Sequence, residues 1–254
     1  MTAYLDTLEQ RWSRLRAHID VFGPDKGTQP TVLLFHGCGG IRAHLPQYAE
    51  AAAGAGVRAV VVDSFAARGW SRNYGMAFVC TGAALRGPER AGDVLAATWG
   101  AIRDLGADPQ RLMLAGWSHG GWSIMDLMTM PLEQAGEAGL ADPTPEPLAG
   151  VKGLFVAYPY GGIGALSRNR PWVRGPRTFG LIATRDRVTN LADSERLYLP
   201  VRACGAELEI WRAAGAHCFD EPGTPLTPLR YDAALAAESL GRFKTVVARA
   251  LAPC

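Results

Sequence analysis

No stretch of this 254-residue chain stays apolar for anything near the roughly 20 residues that a bilayer-crossing helix needs, so no membrane span is expected. The amino terminus, Met-Thr-Ala-Tyr-Leu-Asp-Thr-Leu-Glu, has neither the basic segment nor the apolar core of a secretory leader, and the expected location is cytoplasmic. An excess of one charge is also missing. Lys+Arg number 26 against 24 Asp+Glu, a formal net charge of +2, and the basic residues, nearly all arginine, lie scattered. That scatter excludes the concentrated electrostatic footprint of a nucleic-acid groove. Cysteine is sparse and odd in number, at Cys38, Cys80, Cys204, Cys218 and Cys254, with no Cys-x-x-Cys pair. Free thiols in a reducing compartment are the simpler expectation, with one disulfide left open. The five histidines form no His-Glu-x-x-His, and no His/Cys pairing suggests zinc. A Gly-Lys-Ser/Thr phosphate loop and a Gly-x-Gly-x-x-Gly dinucleotide turn are absent too. Neither metal nor organic cofactor is expected.

What the chain does have is alternation. Short apolar runs at 31–35, 57–62, 111–115, 151–157, 177–184 and 207–212 are nearly continuous in hydrophobicity, as strands buried on both faces of a parallel sheet are. Helical patterns at 47–55, 88–105, 121–130, 193–204 and 232–251 fall between and after them. This order predicts an α/β fold, a doubly wound and mostly parallel sheet flanked by helices, in a single domain over 1–254. Residues 1–25 read as a helix near 5–17 and an extended lead-in. The segment 139–147 reads as an exposed loop, and 158–176 as a longer irregular loop suited to substrate contacts.

The strongest chemical signal is Gly116-Trp117-Ser118-His119-Gly120-Gly121, a Gly-x-Ser-x-Gly motif that directly follows an apolar strand and opens a helical run. Such a turn lifts the serine hydroxyl above the sheet and leaves the amide of His119 at the helix start, where it can stabilise an oxyanion. Ser118 then needs a base. In this strand–turn–helix arrangement the acid and then the histidine follow the serine, and only His119 and His217 do so. The tight turn points His119 away from its neighbour, which leaves His217, in a loop just after the last strand. For the acid that orients it, Asp186 leads because it closes the 177–184 strand at the same sheet edge; Asp193, placed to cap a helix, is the runner-up. A second oxyanion donor is expected from His36-Gly37-Cys38-Gly39-Gly40 after the first strong strand, with the amide of Cys38 as the candidate.

Taken together, these residues resemble the dienelactone hydrolase family of the α/β-hydrolases. The matching pieces are the His36–Gly40 loop, Val62-Asp63-Ser64-Phe65 followed by Arg68-Gly69, the elbow around Ser118, Asp186, and His217-Cys218-Phe219-Asp220. The resemblance spans most of the chain, from 31 to 219. It departs at one point: dienelactone hydrolases proper carry a cysteine nucleophile, and here the position is Ser118. The resemblance implies an ester or lactone hydrolase acting through an acyl-enzyme. It also implies that Asp63 and Arg68 lie on a loop beside the site, a structural Asp–Arg contact being the alternative.

Substrate contacts are expected from Arg68, Trp70, Tyr160 and Trp172, with Trp122 assigned to the core. The expected partner is a small ester, short-acyl or aromatic, with an anionic one read by Arg68 or Arg170 as an option. Thioesterase, peptidase and acyltransferase chemistry would use the same three residues, and a non-catalytic binding protein would keep the fold without needing them.

Overall fold

The structure, a computed structural model, describes residues 5–224 and 229–252. Helix α1 (Leu8–Leu15) opens the chain. Thr7 and Gln10 close a reciprocal cap on it, which satisfies two amides that a helix start leaves free. Strand β1 (Ile19–Phe22) follows, then β2 (Gln29–Phe35), α2 (His44–Ala53) and β3 (Arg58–Val62). A short helix α3 (Arg72–Tyr74) runs into a π-helical turn, Gly75–Val79. Helix α4 (Gly87–Asp104), β4 (Ala107–Trp117), α5 (His119–Leu127), β5 (Val151–Ala157) and β6 (Arg177–Ala183) come next. The chain ends with α6 (Leu191–Arg196), α7 (Leu199–Ala203), β7 (Leu208–Ala213) and α8 (Ala233–Leu251).

The strands form one sheet in the order β1-β3-β2-β4-β5-β6-β7. Strands β2 to β7 pair in parallel, and only β1 runs antiparallel, on the β3 edge. This is the doubly wound, mostly parallel sheet that the alternation predicts, in the α/β-hydrolase architecture that the resemblance implies. Because β2, β4, β6 and β7 share one direction, the loops that follow them all emerge at a single edge of the sheet. Side chains of α1, α4 and α5 cover one face of the sheet; those of α2 and α8 cover the other. No helix among the described residues is long and apolar enough to cross a membrane.

The helix expected at 193–204 is two pieces, α6 and α7. Pro200 sits in the first turn of α7, and its missing N–H cannot continue the earlier ladder. The extended lead-in is the edge strand β1. The α3 and π-helical segment has no counterpart among the sequence expectations, since 72–79 shows neither strand nor helix periodicity.

Beneath the site-bearing edge lies a buried polar knot. The carboxyl group of Asp220, 2% exposed, accepts from Tyr48 Oη at 2.8 Å, Trp117 Nε1 at 3.1 Å and Tyr158 Oη at 2.6 Å. Burial and then the neighbouring carboxyl push both tyrosine hydroxyls well above their usual range, so they remain donors. The knot joins α2, β4 and the end of β5 to the loop after β7. Asp220→Ala orphans two buried donors, Trp117 Nε1 and Tyr158 Oη, each costing about 1–3 kcal/mol, while Tyr48 Oη keeps Ser239 Oγ at 2.6 Å. The expected melting point is lower by on the order of 10 °C in calorimetry, with a smaller drop for Asp220→Asn; a melt within 2 °C of wild type would deny the knot its role.

Candidate active site

Ser118 stands where β4 turns into α5, with φ 48° and ψ −108°. A positive φ is rare for a residue with a side chain, and here it aims the hydroxyl out over the sheet edge. Neighbouring glycines let the turn close. A Cβ on Gly120 would lie 2.2 Å from the carbonyl oxygen of Phe35 at the end of β2, so only glycine fits there.

Ser118 Oγ is 2.9 Å from His217 Nε2, and His217 Nδ1 is 2.6 Å from Asp186 Oδ2. The three residues come from the ends of β4, β7 and β6. Asp186 is itself held by its own loop. Oδ1 accepts from the amides of Val188 at 2.7 Å and Thr189 at 2.9 Å, and Oδ2 from the Thr189 hydroxyl at 2.7 Å. Burial alone would raise the pKa of Asp186; the hydrogen bond and charge of His217, with the Thr189 donors, outweigh it and hold the carboxylate below its usual range. The runner-up, Asp193, instead pairs with Arg168 at 2.8 Å.

Gly37, Cys38, Ser118, His119 and His217 border one cavity of about 510 Å³. The Gly37 backbone comes close to Ser118: a Cβ there would lie 3.5 Å from Ser118 Cβ. His119 points inward, buried, with Nδ1 3.1 Å from Arg90 Nη1. Of the expected substrate contacts, Tyr160 lines the cavity and packs 4.7 Å from Trp122, which is buried yet also forms wall.

Arg68, Trp70 and Trp172 are not among the residues that border the cavity. Trp172 is buried in the core on the α4–α5 side. Arg68 makes a paired hydrogen bond to Asp93, at 2.8 and 2.9 Å, and stacks its guanidinium over Trp70. Asp63 does not meet Arg68. It caps its own turn by accepting from the amides of Phe65 and Ala66, both at 2.9 Å. The resemblance put both beside the site, with an Asp63–Arg68 contact as the alternative; the 3-10 turn at Ala66–Arg68 instead carries the arginine to Asp93 on α4.

Much of the remaining wall comes from residues not expected to contact substrate, among them Arg72, Met76, Val79, Cys80 and Arg86 on the segment between β3 and α4. That segment corrects the expectation of free thiols. Cys80 is bonded to Cys38, across a separation of 42 residues, while Cys204 and Cys218 are free; Cys254 lies outside the described residues. The pairing depends on the π-helical turn lying against the loop after β2. Gly75 allows this, because a Cβ there would lie 2.9 Å from the Cys38 carbonyl oxygen and 2.4 Å from the Phe65 ring. Peptide mapping without reductant is expected to recover a Cys38–Cys80 cross-link. Reduction is expected to cost about 4 kcal/mol of stability by loop-closure entropy, and recovery of both as free thiols from oxidised protein would refute the pairing.

Asp126 on α5 steadies the Trp122 wall. It accepts from Trp122 Nε1 at 2.6 Å and from the Ser167 amide at 2.8 Å, tying the 158–176 loop to α5. Burial pushes its pKa from 3.8 up to about 6. The sign follows from linkage: the folded state favours the protonated form, so this contribution is complete below pH 4 and is lost as pH rises through about 6. Two pKa units correspond to about 3 kcal/mol. Denaturant melts from pH 4 to 7 are expected to show this decline in wild type and a flatter profile in Asp126→Asn; equal slopes would sink the assignment.

No protein-family model matches the sequence, and no curated protein gives a significant match. Solved structures do match. A dienelactone hydrolase-like promiscuous phosphotriesterase, P91, from metagenomic libraries is 13% identical with a TM-score of 0.62, over 89% of this chain and 88% of that one. Esterase 2 of Thermogutta terrifontis, phosphonylated by cyclosarin, is 16% identical with a TM-score of 0.64, over 93% and 90%. EstE1, a thermophilic carboxylesterase cloned from a metagenomic library, is 18% identical with a TM-score of 0.61, over 92% and 85%. The chain shares their fold.

Proposed function

We propose that this protein is a serine hydrolase that cleaves a carboxylic ester or lactone of a small molecule through an acyl-enzyme. The observation that carries the reading is the continuous chain of short contacts from Ser118 Oγ through His217 to Asp186. A binding role imposes no need for that alignment. Ser118 Oγ attacks the acyl carbon as His217 Nε2 takes its proton, and the electron pair of the carbonyl moves onto oxygen. The amides of Cys38 and His119 bind that oxyanion, each donor worth about 3–4 kcal/mol in comparable sites. Collapse expels the leaving alcohol, which takes the proton from His217. Water then enters, gives its proton to His217 and releases the acid, returning Ser118 to its starting form. Asp186 holds the imidazole in the tautomer that presents a free Nε2 and stabilises the imidazolium. No metal or cofactor enters this scheme.

The cavity, with Met76, Val79, Trp122, Tyr160 and Ile163 in its wall, suits an ester with an apolar or aromatic portion. The Cys38–Cys80 bond favours an oxidising compartment over the cytoplasm, since such bonds persist where thiols are not kept reduced.

Hydrolysis of p-nitrophenyl acetate and butyrate by wild type, Ser118→Ala and Asp186→Asn tests the reading. Ser118→Ala is expected to fall by at least about 10³-fold, and Asp186→Asn by about 10²–10⁴-fold in kcat. A fluorophosphonate probe is expected to label wild type at Ser118 only. Equal turnover by wild type and Ser118→Ala would remove Ser118 as the nucleophile.

A further inference from the structure

Arg90 on α4 is fully buried, yet forms no ion pair among the described residues. Its guanidinium spends its donors on neutral partners. Nε donates to Ser64 Oγ at 3.1 Å, while Nη1 donates to the His36 carbonyl at 2.7 Å and to His119 Nδ1 at 3.1 Å. Nη2 is buried without a hydrogen-bond partner. Burial pulls the guanidinium down to about 10, with Asp93 opposing the fall, so it stays charged at neutral pH. Placing a cation inside a protein on neutral acceptors costs several kcal/mol, and an apolar side chain would serve the packing at less cost.

The two acceptors of Nη1 flank the proposed oxyanion hole. His36 immediately precedes the Gly37–Cys38 peptide that carries one proposed donor, and His119 supplies the other from its own backbone. One nitrogen of Arg90 therefore bridges the loop after β2 and the start of α5. Because a guanidinium only donates, His119 Nδ1 must accept, which fixes that ring in the neutral form with its other nitrogen protonated. Burial first, and then the charge of Arg90, holds the imidazole well below its usual range and keeps it neutral.

We propose that Arg90 is a positioning residue for the oxyanion hole: by bonding the His36 carbonyl and His119 Nδ1 through one nitrogen, it sets the spacing between the Cys38 and His119 amides. The role rests on the serine-hydrolase reading above. It acts through those amides and touches no substrate. Two donors must meet one oxygen that gains its full charge only in the transition state, so a shift in their spacing reduces kcat and leaves ground-state binding nearly unchanged.

The test is steady-state hydrolysis of p-nitrophenyl acetate by Arg90→Met, Arg90→Lys and a control, Arg58→Met. Arg58 is an equally buried arginine whose guanidinium binds the carbonyls of Pro24 and Leu105, beyond the start of β3 at the opposite edge of the sheet. Arg90→Met is expected to lose about 10- to 100-fold in kcat with KM within about threefold, a smaller loss than deleting a donor outright. Arg90→Lys keeps the charge and one nitrogen and is expected to recover part of the loss. Arg58→Met is expected to melt earlier but to keep its kcat.

A folded Arg90→Met with kcat within about twofold of wild type, or one altered only in KM, overturns the proposal. So does an Arg58→Met that loses as much kcat, since general loosening would then explain both. If Arg90→Met does not fold, Arg90→Lys decides, and wild-type kcat in that variant overturns the role. Fluorophosphonate labelling separates the two readings. Wild type left unlabelled defeats the hydrolase reading and this one with it; wild type and Arg90→Met labelled at the same rate defeat the positioning role alone.

Discussion

Ser118 holds φ 48° and ψ −108°, a backbone state that costs a residue with a side chain on the order of 1–3 kcal/mol. Nothing local to the serine favours it, so the neighbourhood has to impose it. The end of β2 presses against Gly120 from one side, where the Phe35 carbonyl leaves no room for a Cβ. From the other side the Ser118 amide donates to the Ala157 carbonyl at the end of β5, at 2.9 Å. The turn is thus clamped between the two strands that flank β4. A parallel sheet suits this because its central strand has a neighbour of the same direction on each side, ending at the same edge.

The other groups at that edge are held by buried polar contacts, in a region whose surroundings are mostly apolar. Asp220 fixes the loop that carries His217, the Val188 and Thr189 donors fix Asp186, and Arg90 ties the loop after β2 to α5. Such contacts are poor investments for stability, since desolvation cancels much of the attraction. Their value is directional: a hydrogen bond fixes an angle and a distance, whereas apolar packing tolerates sliding. Reactive atoms that must meet within a few tenths of an ångström call for the first kind of support.

Much of this was legible in the sequence, and for a specific reason. Runs such as 151–157 are nearly continuous in hydrophobicity, broken only near their start at the exposed Lys152, because both faces of the strand are covered beyond it, and the structure returns the same bounds for β5. Ser118, His217 and Asp186 were readable because each follows such a run within a few residues. Arg68 was placed beside the site by the family resemblance, and Trp172 by the irregular character of its segment. Neither says anything about direction, and the chain turns Arg68 toward Asp93 and packs Trp172 into the core. Arg90 carried no signal at all. It sits in a regular helix, where an arginine reads as solvated surface until the tertiary fold buries it.

The division has a physical basis that also bears on substrate choice. Ser118, His217 and Asp186, the proposed reacting groups, stand at strand ends, where the hydrogen-bonded sheet fixes position and the alternating pattern betrays it. One part of the cavity wall stands on the segment between β3 and α4, whose conformation comes from Gly75, the Cys38–Cys80 bond and packing on Phe65 rather than from any periodic pattern. A change in that segment can reshape the cavity without moving Ser118, His217 or Asp186, because it adds no strand to the sheet. Its one covalent tie, however, lands on Cys38, whose amide is the proposed oxyanion donor. Under the proposed mechanism, that part of the cavity wall and the proposed oxyanion loop are therefore mechanically joined at a single residue, and Arg90 bonds the same loop from the interior side. Selectivity can drift on this scaffold only so far as the Cys38 backbone is left in place.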